Sequence, residues 1–178
     1  VLILSGDHIY KMDYEVMLDF HKANHADVTI AAMPVPIEEA SRFGIVVTDK
    51  ENRIKEFEEK PEKPKSNYCV TGLYFYDNKV VEYAKNLKPS ARGELEVTDL
   101  NRIYLEKGNL NVELLGQGFT WLDTGTHESL VEATNFVKTV EQHQHRKIAC
   151  LEEIAYLNGW ISKEDVLEVY EIMKKNQY

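Results

Sequence analysis

Two aspartates, Asp7 and Asp123, each follow a predicted strand and precede a predicted helix. Ligands collect at such junctions in open α/β sheets, because the loops there have little packing role and lie near helix N-termini. Two converging carboxylates would suit Mg²⁺, which takes one or two protein carboxylates and completes its octahedron with waters and phosphate oxygens. Alternatively, each aspartate only bonds to the backbone of its own turn. Sequence spacing leaves both interpretations open.

A lysine and an arginine are candidates for binding phosphate. Lys60 ends a predicted strand, and Pro61 disfavours the right-handed helical conformation for the residue before it. We therefore expect Lys60 to project from an extended strand end, where its ammonium could pair with a phosphate. The alternative is a solvated charged loop, which is what most charge runs form. Arg92, in Arg-Gly-Glu, is open to two similar interpretations, a forked phosphate contact or an exposed turn.

Motifs for several other chemistries are incomplete. His21 and His25 lie four residues apart on a predicted helix, and His143 and His145 form an HxH pair. Lys22 replaces the glutamate of an HExxH motif, however, and no third histidine lies near either pair in the sequence, so a zinc site is disfavoured. The sequence has no GxSxG, GxGxxG or GxxxxGK[ST] motif, so hydrolase, dinucleotide-binding and P-loop functions lose their usual support.

Composition limits the class of protein. The 178 residues carry 21 Lys and Arg against 30 Asp and Glu, a net charge of −9 that disfavours non-specific binding to nucleic acid. No apolar run approaches the roughly 18 residues of a membrane span, so we expect no membrane partner. The two cysteines, Cys69 and Cys150, form no CxxC pattern, which favours a reducing compartment. We therefore expect a cytoplasmic protein.

The predicted elements form an α/β domain with a mixed sheet flanked by helices and with a helical C-terminal tail. The first strand, a helix over 14–24 and a strand over 28–35 indicate a βαβ unit with a parallel strand pair. Further strands and helices are predicted at 44–48, 54–59, 68–76, 78–86, 95–105, 111–115, 119–121, 126–142 and 152–175. We expect a functional part over 1–145 and a helical appendage over 146–178. Because Val1 opens inside an apolar strand, we also expect a fragment of a longer chain.

Three segments carry a resemblance to a known family. They are Leu-Ser-Gly-Asp-His-Ile-Tyr at 4–10, Arg-Phe-Gly-Ile-Val at 42–46 and Glu-Phe-Glu-Glu-Lys-Pro at 56–61. They resemble the sugar-1-phosphate nucleotidyltransferases, and residues 1–60 are most similar to the members that make ADP-glucose. Residues 67–162, including Trp-Leu-Asp-Thr-Gly-Thr at 121–126, resemble the members that transfer a thymidylyl group to glucose 1-phosphate.

This resemblance implies a Rossmann-like fold and an enzyme that joins a nucleoside triphosphate, dTTP by this likeness, to glucose 1-phosphate with release of pyrophosphate. Catalysis would rest on positioning and charge neutralisation, without a protein nucleophile. Asp7 and Asp123 would hold Mg²⁺, and Lys60 would hold the sugar phosphate. The other residues implied to bind substrate are Phe43, Gly44, Glu59, Val70, Tyr74, Arg92, Glu96, Thr98 and Trp121.

The sequence also departs from the family pattern. The glycine-rich GGxGTRLxP loop, which cradles the triphosphate in the family, is absent, so we expect this chain alone to lack turnover. His8 and Lys11 follow the adenylyl-transferring members, whereas the helical tail favours the thymidylyl-transferring ones. A non-catalytic module for sugar-phosphate binding or subunit contact is a further alternative. Because family members assemble as homo-oligomers, we expect self-association through the apolar tail.

Overall fold

The computed structural model describes residues 1–50, 53–90, 93–116 and 118–175. The chain divides into two compact units, Val1–Gly125 and Thr126–Tyr178. The functional division expected between residues 145 and 146 stays a prediction. None of the described helices is both long enough and apolar enough to cross a membrane.

In its described residues, the first unit holds the strands, three α-helices and a short 3-10 helix at Ala40–Arg42. Its strands are β1 (Leu2–Leu4), β2 (His8–Lys11), β3 (Val28–Pro34), β4 (Gly44–Thr48), β5 (Ile54–Glu59), β6 (Tyr68–Tyr76), β7 (Leu110–Leu114) and β8 (Thr120–Asp123). Its helices are α1 (Tyr14–Ala23), α2 (Val80–Lys85) and α3 (Val97–Glu106). The N-cap of α1 is Asp13, and its carboxylate accepts a hydrogen bond from the backbone N–H of Glu15.

A mixed sheet forms the centre of this unit. Its order is β5-β4-β6-β3-β7, and β1 also pairs with β6. β4 and β5 form an antiparallel hairpin. The predicted pairing of the first strand with β3 is wrong, since both strands pair antiparallel with β6. β6 takes this place because its nine residues are mostly buried and can bond neighbours along both edges. The parallel pair is β3 with β7.

Alternation along the central strands divides the core into two layers. Ile30 and Tyr74 belong to one cluster, together with residues of α2 and α3. Ala31 and Leu73 belong to the other, together with Met17 of α1. Successive side chains of a strand point to opposite faces, so the sheet is covered by helices on both sides. The predicted class, a mixed sheet flanked by helices, is confirmed.

The second unit is helical. It contains α4 (His127–Gln144), α5 (Leu151–Leu157) and α6 (Lys163–Met173). Ser162 and Asp165 form a capping box at the start of α6, with each side chain bonding the other's backbone N–H. The helical C-terminal region expected from the sequence is thus confirmed.

Candidate functional site

A two-stranded ribbon brings the two candidate aspartates together. β2 pairs antiparallel with β8, and His8 lies directly opposite Asp123. Just outside the ribbon, the backbone N–H and hydroxyl of Thr124 both donate to the carbonyl of Asp7, at 3.2 and 2.6 Å. Asp7, His8 and Asp123 each offer a ligand atom within 4.8 Å of the others. Residues far apart in sequence therefore form one acidic cluster.

Short local bonds fix the orientation of both carboxylates. The Ser5 hydroxyl donates to Oδ1 of Asp7 at 2.7 Å, and this bond lowers the pKa of Asp7. Oδ1 of Asp123 accepts from the backbone N–H of Gly125 at 2.8 Å. A Cβ at Gly125 would lie 3.1 Å from that oxygen, so a larger residue there would crowd the carboxylate. Asp123 therefore caps its own turn and also faces Asp7.

His8 completes the cluster and was not among the predicted site residues. Its Nε2 lies 3.6 Å from Oδ1 of Asp7 and 3.6 Å from Oδ1 of Asp123. Its Nδ1 accepts a hydrogen bond from the indole N–H of Trp121 at 3.1 Å. Its position next to Asp7 was the available signal, but the register opposite Asp123 depends on a strand that comes much later in the chain.

The β4–β5 hairpin positions a second group of side chains. Gly44 lies opposite Glu59, and the backbone N–H of Lys60 donates to the carbonyl of Phe43 at 3.1 Å. Lys60 has φ 44°, so the expected extended conformation is wrong. The chain instead turns through the left-handed region, which costs strain for a residue with a Cβ. This turn directly follows the last residue pair of the hairpin, Gly44 and Glu59.

Glu59 is held by a threonine from α3. The hydroxyl of Thr98, which is 5% exposed, donates to Oε2 of Glu59 at 2.8 Å. Tyr74 lies beneath this pair on the central strand β6. Burial, together with the Glu59 carboxylate, raises the pKa of Tyr74, so its hydroxyl stays protonated. The group therefore presents a carboxylate beside a neutral hydroxyl.

These two groups line a single cavity of about 410 Å³. The predicted residues in its lining are Asp7, Phe43, Gly44, Glu59, Lys60, Val70, Tyr74, Thr98 and Asp123. The lining also includes residues that the sequence did not indicate, namely Ser5, His8, Arg42, Phe57, Gly72, Val97 and Gly125. The cavity combines acidic and cationic side chains, which together could bind a divalent cation and a phosphate ester.

Two predicted residues, Glu96 and Trp121, are not part of this lining, and a third lies outside the described residues. The Trp121 ring packs edge-on against His8 and Phe43, with ring centroids 5.4 Å apart in each case. Glu96 accepts a hydrogen bond from the Ser90 hydroxyl at 3.1 Å, at the start of α3. Arg92 lies outside the described residues. Substrate contacts by these three residues stay predictions.

Comparison with known proteins identifies the family. Residues 1–140 match the family model described as nucleotidyl transferase. The chain belongs to this family. Among its relatives, a glucose-1-phosphate thymidylyltransferase of Neisseria meningitidis is 54% identical over 100% of this chain and 62% of its own length. A glucose-1-phosphate adenylyltransferase of Lachnospira eligens is 53% identical over 75% of this chain and 31% of its own length.

A solved structure of the nucleotidyl transferase family shares the fold. It is a Bacillus anthracis protein described as a glucose-1-phosphate thymidylyltransferase, crystallised in complex with a sucrose. The TM-score is 0.66 at 39% identity, covering 76% of this chain and 53% of that one. The resemblance found in the sequence is thereby confirmed. The chain spans less than two thirds of the length of the curated relatives it matches.

Proposed function

We propose that the protein containing this chain transfers a nucleotidyl group from dTTP to glucose 1-phosphate, giving dTDP-glucose and pyrophosphate. A phosphate oxygen of glucose 1-phosphate attacks the α-phosphorus of the triphosphate. The bond from the α-phosphorus to the bridging oxygen breaks, and pyrophosphate leaves with that oxygen. The supporting observation is that Asp7, Glu59, Lys60 and Asp123 line one cavity in a member of the nucleotidyl transferase family.

Mg²⁺ fits the acidic cluster of this cavity. Asp7 and Asp123 supply hard carboxylate oxygens, the ligands that this ion prefers. The Asp7 side chain is 65% exposed, which leaves room for waters or phosphate oxygens around an ion. When bound, Mg²⁺ would neutralise charge on the reacting phosphates. Ser5 and Gly125 then serve to hold the two carboxylates in position for it.

The hairpin side of the cavity would bind the sugar ester. The Lys60 ammonium would pair with the phosphate, and its backbone is fixed by the bond to Phe43. Because Thr98 occupies Oε2 of Glu59, that carboxylate keeps its other oxygen for a sugar hydroxyl. The backbone of Gly44 and Val70 and the rings of Phe43 and Tyr74 would form the walls. Arg92 is proposed to contribute on the phosphate side, and Glu96 and Trp121 are proposed to line the sugar pocket.

Adenylyl transfer is the second candidate. The Lachnospira eligens relative favours it, as does the His8 that follows Asp7. Turnover of the full-length protein with dTTP and with ATP, measured as pyrophosphate release, separates the two candidates. We expect dTTP to be the better substrate, and a preference for ATP would reverse the assignment. Glucose 1-phosphate binding without any pyrophosphate release would indicate a non-catalytic binding module.

The role of Lys60 is tested by Lys60→Ala in the full-length protein. Loss of a preorganised charge partner should reduce turnover on the order of 10²–10³-fold. Lys63→Ala is the matched control, because Lys63 is an exposed lysine that also precedes a proline. A loss below about threefold for Lys60→Ala would reject the proposed role.

We further propose that the protein is a cytoplasmic homo-oligomer. Both cysteines are free, which suits a reducing compartment. The second unit exposes several large apolar side chains, among them Leu151, Leu157, Trp160 and Ile172. Sedimentation over a range of concentrations tests assembly. A monomer at the highest concentration would contradict it.

A further inference from the structure

The contacts of the His8 ring determine which of its nitrogens carries hydrogen. An indole N–H can only donate, and Trp121 donates to Nδ1 of His8 at 3.1 Å. In this contact Nδ1 uses its lone pair as an acceptor. A neutral imidazole that accepts at Nδ1 carries its hydrogen on Nε2. Nε2 is the atom that lies 3.6 Å from both Asp7 and Asp123.

The other neighbours of Nδ1 do not supply a competing donor. The Tyr10 hydroxyl is 3.3 Å from Nδ1, but its hydrogen goes to the carbonyl of Thr71 at 2.7 Å. Burial raises the pKa of Tyr10 to about 12, so it keeps that hydrogen. The Thr71 carbonyl itself lies 3.1 Å from Nδ1 and could accept from it, but only if Nδ1 carried a hydrogen.

We propose that Trp121 selects the cation of this site by holding His8 as the Nε2–H tautomer. In this form Nε2 has no lone pair to bind a metal, and its N–H dipole faces the two carboxylates. His8 is then a positioning residue, and the metal ligands are oxygens alone. Oxygen ligands suit Mg²⁺, whereas an added imidazole nitrogen favours Zn²⁺ and other transition metals. The inference rests on the proposed role of Asp7 and Asp123 as ligands.

The same geometry shows what happens without the indole donor. Nδ1 could then carry the hydrogen and donate it to Thr71, which is already within bonding distance. The lone pair would move to Nε2, and two carboxylates with one imidazole would lie within 4.8 Å of one another. That set adds to the carboxylate oxygens an imidazole nitrogen, a ligand that zinc sites commonly use. The indole N–H of Trp121 thus determines whether the site offers oxygen ligands alone or oxygen ligands together with an imidazole nitrogen.

The tautomer is tested directly by NMR on the unmodified, metal-free full-length protein. Long-range ¹H–¹⁵N correlations of His8 are recorded at mildly alkaline pH, where a free imidazole is neutral. We expect hydrogen on Nε2 in the unmodified protein. In Trp121→Phe, which keeps an aromatic ring but removes the donor, we expect it on Nδ1. Hydrogen on Nδ1 of the unmodified protein would overturn the proposal without reference to any variant.

Metal preference is the second readout. Calorimetric titration with Mg²⁺ and Zn²⁺ separately should show the Zn²⁺ affinity of Trp121→Phe raised roughly tenfold or more relative to Mg²⁺. Trp160→Phe, the same change at the exposed tryptophan of the second unit, should leave the ratio unchanged. Adding His8→Gln to Trp121→Phe should abolish the gain, because Gln offers no imidazole. A tautomer change without a change in metal ratio would refute the selective role.

A further control separates this inference from the proposed function. Asp7→Asn should weaken Mg²⁺ binding if Asp7 is a ligand. Mg²⁺ binding that is insensitive to Asp7→Asn would refute the metal role proposed above and, with it, the selectivity argument. The NMR measurement would still decide the tautomer, since it requires no metal.

Discussion

Replacing Lys60 with glycine should make the protein more stable and less able to bind its substrate. Lys60 has φ 44°, in the left-handed region, and its successor is Pro61. Strained backbone is stored at functional sites when the side chain is needed there. Glycine would relieve the backbone strain, so the stability should rise. It would also remove the ammonium group, so the affinity for substrate should fall.

The magnitudes follow from the backbone and from the lost charge. A left-handed conformation costs an L-residue about 1–2 kcal/mol, and glycine loses about 0.5–1 kcal/mol more chain entropy on folding. The difference raises the free energy of unfolding of Lys60→Gly by roughly 0.5–1 kcal/mol, which corresponds to a Tm rise of roughly 2 °C for a chain of this size. A lost hydrogen bond to a charged group costs about 1.5–3 kcal/mol, so glucose 1-phosphate should bind roughly 10- to 150-fold more weakly.

Urea unfolding and calorimetry with glucose 1-phosphate measure the two effects in the full-length protein. Lys63→Gly is the matched control, because Lys63 also precedes a proline but is not among the described residues with positive φ. It should lose stability and keep its affinity. If Lys60→Gly is destabilised as much as Lys63→Gly, the strain argument is wrong. If its affinity is unchanged, Lys60 does not hold the phosphate.

Three further variants test the scaffold. Gly72→Ala should cost more than about 1 kcal/mol in urea unfolding, because Gly72 has φ +74° and an added Cβ would lie 3.0 Å from the nearest side chain. Gly116→Ala, with open space around it, is the control. Thr98→Val should weaken glucose 1-phosphate binding, because Glu59 loses its hydroxyl donor, whereas Thr98→Ser keeps a hydroxyl and should keep the affinity. Equal affinities of the Val and Ser variants would contradict this. Burial lowers the pKa of His21 in the folded protein. As the pH falls below about 6.5, the unfolded chain therefore binds a proton at this histidine before the folded chain does, and the free energy of unfolding decreases. His21→Gln should therefore shrink the loss of stability between neutral and mildly acidic pH, and an unchanged loss would exclude His21 as its source.

The sequence predicted the existence of most elements better than their pairing. The β-branched and aromatic residues of β3 and β6 identify both strands. The place of β1 could not be found in this way. Strand order depends on which long buried strand can bond two neighbours at once, and local periodicity carries no information on that choice.

The candidate site shows the same limit at finer scale. β2 was missed because His8–Lys11 is only four residues long, alternates weakly and gains its bonds from β8. The resemblance named the two aspartates, but not the histidine between them. It did not indicate that Glu96 bonds Ser90 or that Trp121 bonds His8. Side-chain partners across distant strands have no signature in local sequence.

Register in the small ribbon explains why so few residues can define this site. Residues two apart on a strand share a face, so His8 and Tyr10 lie on the same side as Trp121 and Asp123. A slip of one residue would turn one of the two pairs to the other face and break the indole bond to His8. The two bonds from Thr124 to the carbonyl of Asp7 oppose such a slip. The proposed metal site therefore depends on backbone pairing as much as on its carboxylates.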